Sequence, residues 1–117
     1  MSHQRRSLGI QGEDIAAQYL QEQGLVILER NFRCRLGEID IIARHGDCLV
    51  FIEVKTRSSD RFGLAQESIT KQKIYKLRRL AQVYLAQRSF SGLNVRFDVV
   101  AVNSAQETKV THIENAF

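Results

Sequence analysis

Two short segments of the chain alternate apolar and polar side chains at the spacing of a strand: Gly37-Glu38-Ile39-Asp40-Ile41-Ile42 and Leu49-Val50-Phe51-Ile52-Glu53-Val54-Lys55. Both are rich in β-branched and aromatic residues, and His45-Gly46-Asp47 between them carries a Gly-Asp turn signal, so they predict a β-hairpin. Alternation then places Glu38 and Asp40 on one face and Ile39 and Ile41 on the other. It likewise groups Phe51, Glu53 and Lys55 opposite Val50, Ile52 and Val54. A two-residue loop at Gly46-Asp47 sets Asp40 directly opposite Glu53. A loop at His45-Gly46 sets it opposite Phe51, diagonal to Glu53. Both registers gather Asp40, Glu53 and Lys55 on one face, whereas a three-residue loop sends Asp40 to the other.

The remaining periodicities supply the frame. Ile15, Ala16, Tyr19 and Leu20 make a helical stripe, which with Ser7 as cap and Gly24 as left-handed stop predicts a helix from Ser7 to Gln23. Strands are predicted over Leu25 to Phe32, Gly37 to Ala43 and Cys48 to Thr56, followed by a polar, glycine-containing loop from Ser58 to Gln66. A long helix carries Ile74, Leu77, Ala81, Tyr84 and Leu85 on its apolar side and turns Lys73, Lys76, Arg79 and Gln82 mostly outward. A fourth strand spans Val95 to Val102, and Lys109 to Ile113 adds an edge strand. The order is α-β-β-β-α-β with the extra edge strand. A helical crossover between the third and fourth strands makes those two parallel, and the first three form an antiparallel meander. The expected fold is therefore α/β, a mixed five-stranded sheet flanked by helices, and 117 residues with 44% hydrophobic content predict one domain over residues 1–117.

Charge narrows the range of partners. A net charge of +4 favours an anionic partner, with nucleic acid first. The distribution sharpens this: from Ser68 to Phe97 there is no acidic residue, yet Lys71, Lys73, Lys76, Arg78, Arg79, Arg88 and Arg96 fall there. Arg30, Arg33 and Arg35 form a second cluster just before the hairpin. No apolar run is long enough to cross a membrane and no signal-peptide pattern opens the chain, so a cytoplasmic protein is expected. Cys34 and Cys48 have neither CxxC spacing nor histidine partners in a zinc pattern, and are read as buried or spare thiols. His3, His45 and His112 are isolated in sequence and are read as solvated.

Two carboxylates and a lysine in the middle of apolar strands require an explanation, because buried charges are paired or metal-bound. One explanation is an ion pair on a solvated sheet face. The other is a divalent-cation site, since Mg²⁺ takes hard oxygen ligands from one or two carboxylates. Asp98, within the fourth strand, reads as a structural carboxylate satisfied by Arg96 or a basic helix. No glycine-rich phosphate loop, Ser/His/Asp arrangement or zinc spacing competes with the hairpin.

Asp40 and Glu53-Val54-Lys55, with twelve residues between, resemble the PD-(D/E)xK signature of restriction-endonuclease-like nucleases. Gly-Glu-Ile-Asp-Ile-Ile-Ala followed by Val-Phe-Ile-Glu-Val-Lys-Thr-Arg closely resembles the small bacterial YraN-like family, itself similar to archaeal Holliday junction resolvases. The resemblance covers nearly the whole chain, and departs from the signature where Ile39 replaces the proline. It implies a metal-dependent nuclease in which Asp40 and Glu53 hold Mg²⁺ or Mn²⁺ and Lys55 stabilises developing charge. The carbonyl of Val54 is a further candidate ligand. Spacing alone leaves Glu13 a glutamate at the border of the packed face of its helix, most simply solvated. The resemblance instead implies that Glu13 completes the metal site. Arg30, Arg33, Arg35, Lys71 and Lys73 are the candidate phosphate contacts, which favour structure-selective or nonspecific recognition of nucleic acid. Similarity to junction resolvases implies branched DNA and a homodimer. The competing expectations are a nucleic-acid-binding module with weak or lost catalysis, and a scaffold with a fortuitous ion pair.

Overall fold

The structure is a computed structural model that describes residues 2–57, 70–88, 90, 92–104 and 107–117, with side chains from residue 11 onward. Helix α1 (Ser2–Glu22) leads into strands β1 (Val26–Cys34), β2 (Gly37–His45) and β3 (Cys48–Arg57). Helix α2 (Lys71–Gln87), β4 (Asn94–Asn103) and β5 (Lys109–Ile113) follow. The five strands lie side by side in chain order. Neighbours are antiparallel except β3 and β4, which are parallel across the α2 crossover. The mixed α/β sheet is thus as its periodicities predict, and the edge strand is present. The expected loop from Ser58 to Gln66 lies outside the described residues.

Each helix covers its own face of the sheet. On one, Ala16, Ala17 and Leu20 of α1 pack with Ile41, Ala43, Val50, Ile52, Val100 and Val102. On the other, Leu80, Ala81 and Tyr84 of α2 pack with Phe32, Ile39, Ile42, Leu49 and Phe51. The period of two along β3 divides Leu49 and Phe51 from Val50 and Ile52, so this strand contributes to both clusters. Truncating one of the fully buried residues, such as Ile52, to alanine is expected to cost about 2–5 kcal/mol.

Helix α1 begins at Ser2, ahead of the predicted cap at Ser7. Good helix formers such as Gln4, Arg5, Arg6 and Leu8 let the helix extend N-terminally without a cap at Ser7. Its end is as expected. Gly24 takes φ +94°, its N–H donates to Gln21 O at 3.0 Å, and the Leu25 N–H donates to Leu20 O at 3.0 Å. That pairing is the Schellman arrangement, which satisfies the last carbonyls of the helix. The side chain of Thr70 caps α2 by accepting the Lys73 N–H.

The hairpin closes at His45 opposite Cys48. Its loop is therefore Gly46-Asp47, the first of the two predicted registers, with Gly46 at φ +62°. Simple alternation does not hold through the middle of the meander, however. Asn31 sits at φ +56°, and consecutive residues Arg30 and Asn31 both reach Glu13 of α1. On β2, which pairs with this part of β1, Ile39 packs on the α2 side and Ile41 on the α1 side. The expectation that Ile39 and Ile41 share a face is corrected: a left-handed residue in one strand re-aims both strands where they pass it.

Candidate active site

The β2–β3 ladder runs from the turn to Ile41 opposite Ile52 and ends there. The next rung in that register is Asp40 with Glu53. Beyond it β2 remains paired to β1, while β3 from Glu53 to Arg57 remains paired to β4. The two central strands therefore diverge, each held by its outer neighbour, and a gap opens at Asp40. The Asp40 carboxylate enters that gap, where Oδ2 accepts the Val54 N–H at 2.8 Å.

The groups around the gap come from both sides of the sheet. Glu13, Glu38, Asp40, Val54 and Thr56 line one concavity. Glu38, Glu53, Lys73, Lys76, Leu77 and Leu80 line a second, with Glu38 shared between them. The single face expected for Asp40, Glu53 and Lys55 is thus replaced by a cleft through the sheet. The β-strand twist at Asn31 turns Asp40 toward α1, and Glu53 keeps the α2 side.

Burial raises the pKa of Asp40 to about 6, helped by the nearby charges of Glu13, Glu53 and Glu38 and opposed by the Val54 hydrogen bond. The Glu53 side chain is 17% exposed, with Oε1 at 3.2 Å from Lys55 Nζ and 3.9 Å from Lys73 Nζ. Its Oε2 is buried without a hydrogen-bond partner. An orphaned carboxylate oxygen is costly and invites a ligand.

Glu13 is not the solvated residue that spacing alone suggests. Its side chain is 14% exposed, and Oε1 accepts from Arg30 Nε at 3.1 Å and from Asn31 Nδ2 at 3.0 Å. Gly12 brings it this close, because a Cβ there would collide with Thr56 Oγ1 on β3. Only glycine lets the helix approach the strand at that point.

Burial works to lower the Lys55 pKa, but hydrogen bonding with Lys73 and the Glu53 and Asp40 charges outweigh it, leaving it raised. Lys73 is pushed the other way, first by its hydrogen bond with Lys55, then by burial and by the Lys55 charge. Of the two amines Lys55 keeps its proton more firmly, as its shorter distance to Glu53 requires. Lys73 and Lys76 thus border the cleft, while their side chains remain largely exposed as expected. The buried stripe of α2 includes Leu80, and residues 73, 76, 77 and 80 continue it toward the site. Lys76, Glu38 and Thr56 are site residues that sequence reasoning missed. The i, i+3, i+4, i+7 run from Lys73 to Leu80 was the available signal for Lys76.

Not every basic candidate is available to an anion. Arg30 is committed to Glu13 and to Asp14, 2.6 Å away, and Arg33 Nε lies 2.7 Å from Glu38. Arg35 and Lys71 are exposed. Arg96 belongs to a buried network. Its Nε and Nη2 donate to the two oxygens of Asp98 at 3.0 Å each, and Asp98 is fully buried. Asp98 is thus the satisfied structural carboxylate that its position suggested. His112 Nε2 lies 2.7 Å from Asp98 Oδ2, and His45 Nδ1 lies 3.1 Å from Arg96 Nη2. The expectation that His45 and His112 are isolated is therefore corrected. The side chain of His3 lies outside the described residues. Cys34 and Cys48 are free and partly buried. Among the described residues no three His, Cys, Asp or Glu side chains converge closely enough to hold an ion without rearrangement. No described helix is long and apolar enough to cross a membrane.

Fold and site together define a small α/β protein whose mixed sheet opens at its centre onto an acidic pair flanked by lysines. The chain belongs to the uncharacterised protein family UPF0102, whose model matches residues 12–102. That span contains every residue of the cleft. Similar proteins include a UPF0102 protein of Pelotomaculum thermopropionicum, 48% identical over all of both chains. Another, of Moorella thermoacetica, is 51% identical over 97% of this chain and 95% of its own. A third, of Syntrophotalea carbinolica, is 49% identical over all of this chain and 96% of its own.

Proposed function

We propose that this protein is a metal-dependent nuclease of the restriction-endonuclease-like kind, hydrolysing phosphodiester bonds of DNA with structure-selective or nonspecific recognition. The observation that carries the reading is the point at which β2 and β3 part, where a strongly perturbed Asp40 on the α1 side lies within electrostatic reach of Glu53 on the α2 side, which has one buried, partnerless oxygen. Perturbed carboxyls in a cleft are characteristic of functional sites.

The donor set suits a hard cation. Asp40 and Glu53 would hold Mg²⁺ or Mn²⁺, with the Val54 carbonyl and Glu13 as further oxygen donors. When bound, such a cation polarises the phosphoryl group and lowers the pKa of a coordinated water. The protein's own groups do the rest. Lys55, held protonated beside Glu53, neutralises charge developing on phosphorus and is a poor general base for the same reason. Lys73 and Lys76 bring positive charge to the α2 side of the cleft, where a phosphate backbone would pass. Arg35 and Lys71 are further exposed cations. Asn31 and Arg30 fix Glu13 at the opposite rim, so its recruitment would require release of an ion pair. Branched DNA as substrate, a homodimer as the working unit and a cytoplasmic location complete the reading.

A second reading is a nucleic-acid-binding module with weak or lost catalysis, and the two ammonium groups already placed on Glu53 favour it. The experiment compares wild type with Glu53→Ala on labelled branched, single-stranded and linear duplex DNA in Mg²⁺, Mn²⁺ or chelator, after both are shown to fold. Cleavage by wild type alone, and only with metal, supports the nuclease. Salt-sensitive binding that is equal in chelator, with no cleavage of any substrate, supports the binding module.

A further inference from the structure

The outer side of α2 carries a feature that the cleft does not use. Tyr75 is 64% exposed, although it sits in a helix whose other aromatic residue, Tyr84, is core. Arg79 Nη1 donates to Tyr75 Oη at 3.2 Å, and its guanidinium carbon stands 5.8 Å from the ring centre. Beside the ring lies an open concavity lined by Lys71, Ile74, Tyr75, Arg78 and Phe117. Arg79 does not line it: with Nη1 on the hydroxyl and its guanidinium carbon 5.8 Å from the ring centre, it meets the hydroxyl end of the ring, while the tyrosine borders the concavity. Phe117 is itself backed by Phe97, with centroids 5.4 Å apart and planes 23° apart. Two supported rings therefore border a hollow whose charged residues, Lys71 and Arg78, are both exposed cations.

We infer that this hollow is a stacking subsite for an unpaired base of single-stranded nucleic acid, with Tyr75 as the platform and Lys71 and Arg78 as phosphate contacts. Aromatic rings in a basic groove are the general device for holding single strands, because every base has a face to stack while the cations follow the backbone. A paired base cannot present that face. Position on the helix separates the subsite from the cleft. Residues 71, 75 and 78 form one stripe, and 73, 76 and 80 form another nearly half a turn around the axis. The hollow beside Tyr75 is therefore a contact surface distinct from the cleft, with no lining residue in common. The inference goes beyond the reading above by assigning a second nucleic-acid contact, specific for unpaired strands, and it does not depend on catalysis.

The test is equilibrium binding in chelator, where no cleavage occurs, of a single-stranded DNA containing 2-aminopurine and of a blunt duplex. Wild type, Tyr75→Ala and Tyr75→Phe are compared, and cleavage of the same DNAs with Mg²⁺ is measured in parallel. Tyr75→Ala is expected to weaken single-strand binding about tenfold and abolish 2-aminopurine quenching, with duplex affinity changed less than about twofold. Tyr75→Phe keeps the ring and should bind single strands like wild type. Equal single-strand affinity in Tyr75→Ala, or an equal loss on both DNAs, overturns the subsite. Absence of cleavage with a preserved Tyr75 effect removes the nuclease and keeps the subsite. Cleavage with no Tyr75 effect does the reverse, and failure of wild type to bind either DNA removes both.

Discussion

Asp40→Asn is expected to stabilise the metal-free protein, a reversal of the usual effect of altering a residue at the centre of a fold. The substitution removes the charge and retains an oxygen that can accept the Val54 N–H now 2.8 Å from Oδ2. The new amide has Glu13, Glu38 and Glu53 nearby as acceptors, the same carboxylates that now repel Asp40. Folding raises the Asp40 pKa from 3.8 to about 6, so at neutral pH the folded protein bears a cost of up to about 3 kcal/mol for keeping this group ionised. The direction follows from proton binding. Between pH 3.8 and 6 the folded state holds the proton more tightly than the unfolded state, so this group's contribution falls as pH rises through that window and stays low above it. Urea unfolding in chelator should therefore show Asp40→Asn more stable than wild type at pH 7.5, by about 1–3 kcal/mol. The corresponding gain in Tm is roughly 4–12 °C. The gap should close toward pH 4. An asparagine variant less stable than wild type at pH 7.5, or a difference unchanged at pH 4, would refute this account of the cleft.

Three further outcomes are expected. Saturating Mg²⁺ should raise the Tm of wild type at pH 7.5 and leave Asp40→Asn nearly unmoved, since each tenfold excess over Kd adds about 1.4 kcal/mol only where the cation binds; equal shifts in thermal scans of both proteins would count against Asp40 as a ligand. Gly12→Ala should destabilise by about 1–3 kcal/mol through its clash with Thr56, and Thr56→Ala in the same chain should recover part of that loss in denaturant titration. Asp98→Ala should cost about 3–5 kcal/mol by leaving Arg96 buried without its carboxylate. Burial pushes the Asp98 pKa up, but bonds from His112, Arg96 and the Asn115 N–H bring it below its ordinary value. Its contribution is thus complete above the ordinary carboxylate range and disappears as pH falls below it, so acid titration of wild type against Asp98→Ala should show the two curves converging.

Much of this architecture is readable from local pattern. The β2–β3 hairpin, the Gly24 helix stop and the parallel β3–β4 pair follow from side-chain periodicity, turn residues and the length of the crossover. What escapes such reading depends on contacts distant in sequence. Nothing local marks Asn31 as left-handed, yet its conformation decides which way Asp40 points. Arg30 reads as a phosphate contact until α1 presents Glu13 and Asp14 to it. The Asp98–Arg96 pair is legible because the two lie two residues apart on one strand, but His112 looks like a solvated histidine because the buried carboxylate it meets lies across a ladder from it. That Lys73 and Lys76 border the cleft is lost on a helical wheel whose buried arc is judged without Leu80. Residues of opposite charge find each other through the fold, and a linear pattern records only the charge.

The strand order of the sheet has a consequence for synthesis. Because β1 to β5 lie in the sheet in the order in which they are translated, each emerging strand finds its partner already made, and none must insert between two earlier ones. Domains tend to form from the N-terminus as the chain emerges, and local pairings close sooner than distant ones. The meander from Val26 to Arg57 contains both Asp40 and Glu53, so the acidic pair is expected to assemble on the ribosome before α2 has brought in Lys73. Limited proteolysis of stalled nascent chains should find the hairpin protected once a C-terminal linker holds Arg57 clear of the exit tunnel, while chains with β3 still inside it remain open. On this order the repulsive half of the cleft is built first, and the lysines that offset it arrive with the second half of the protein.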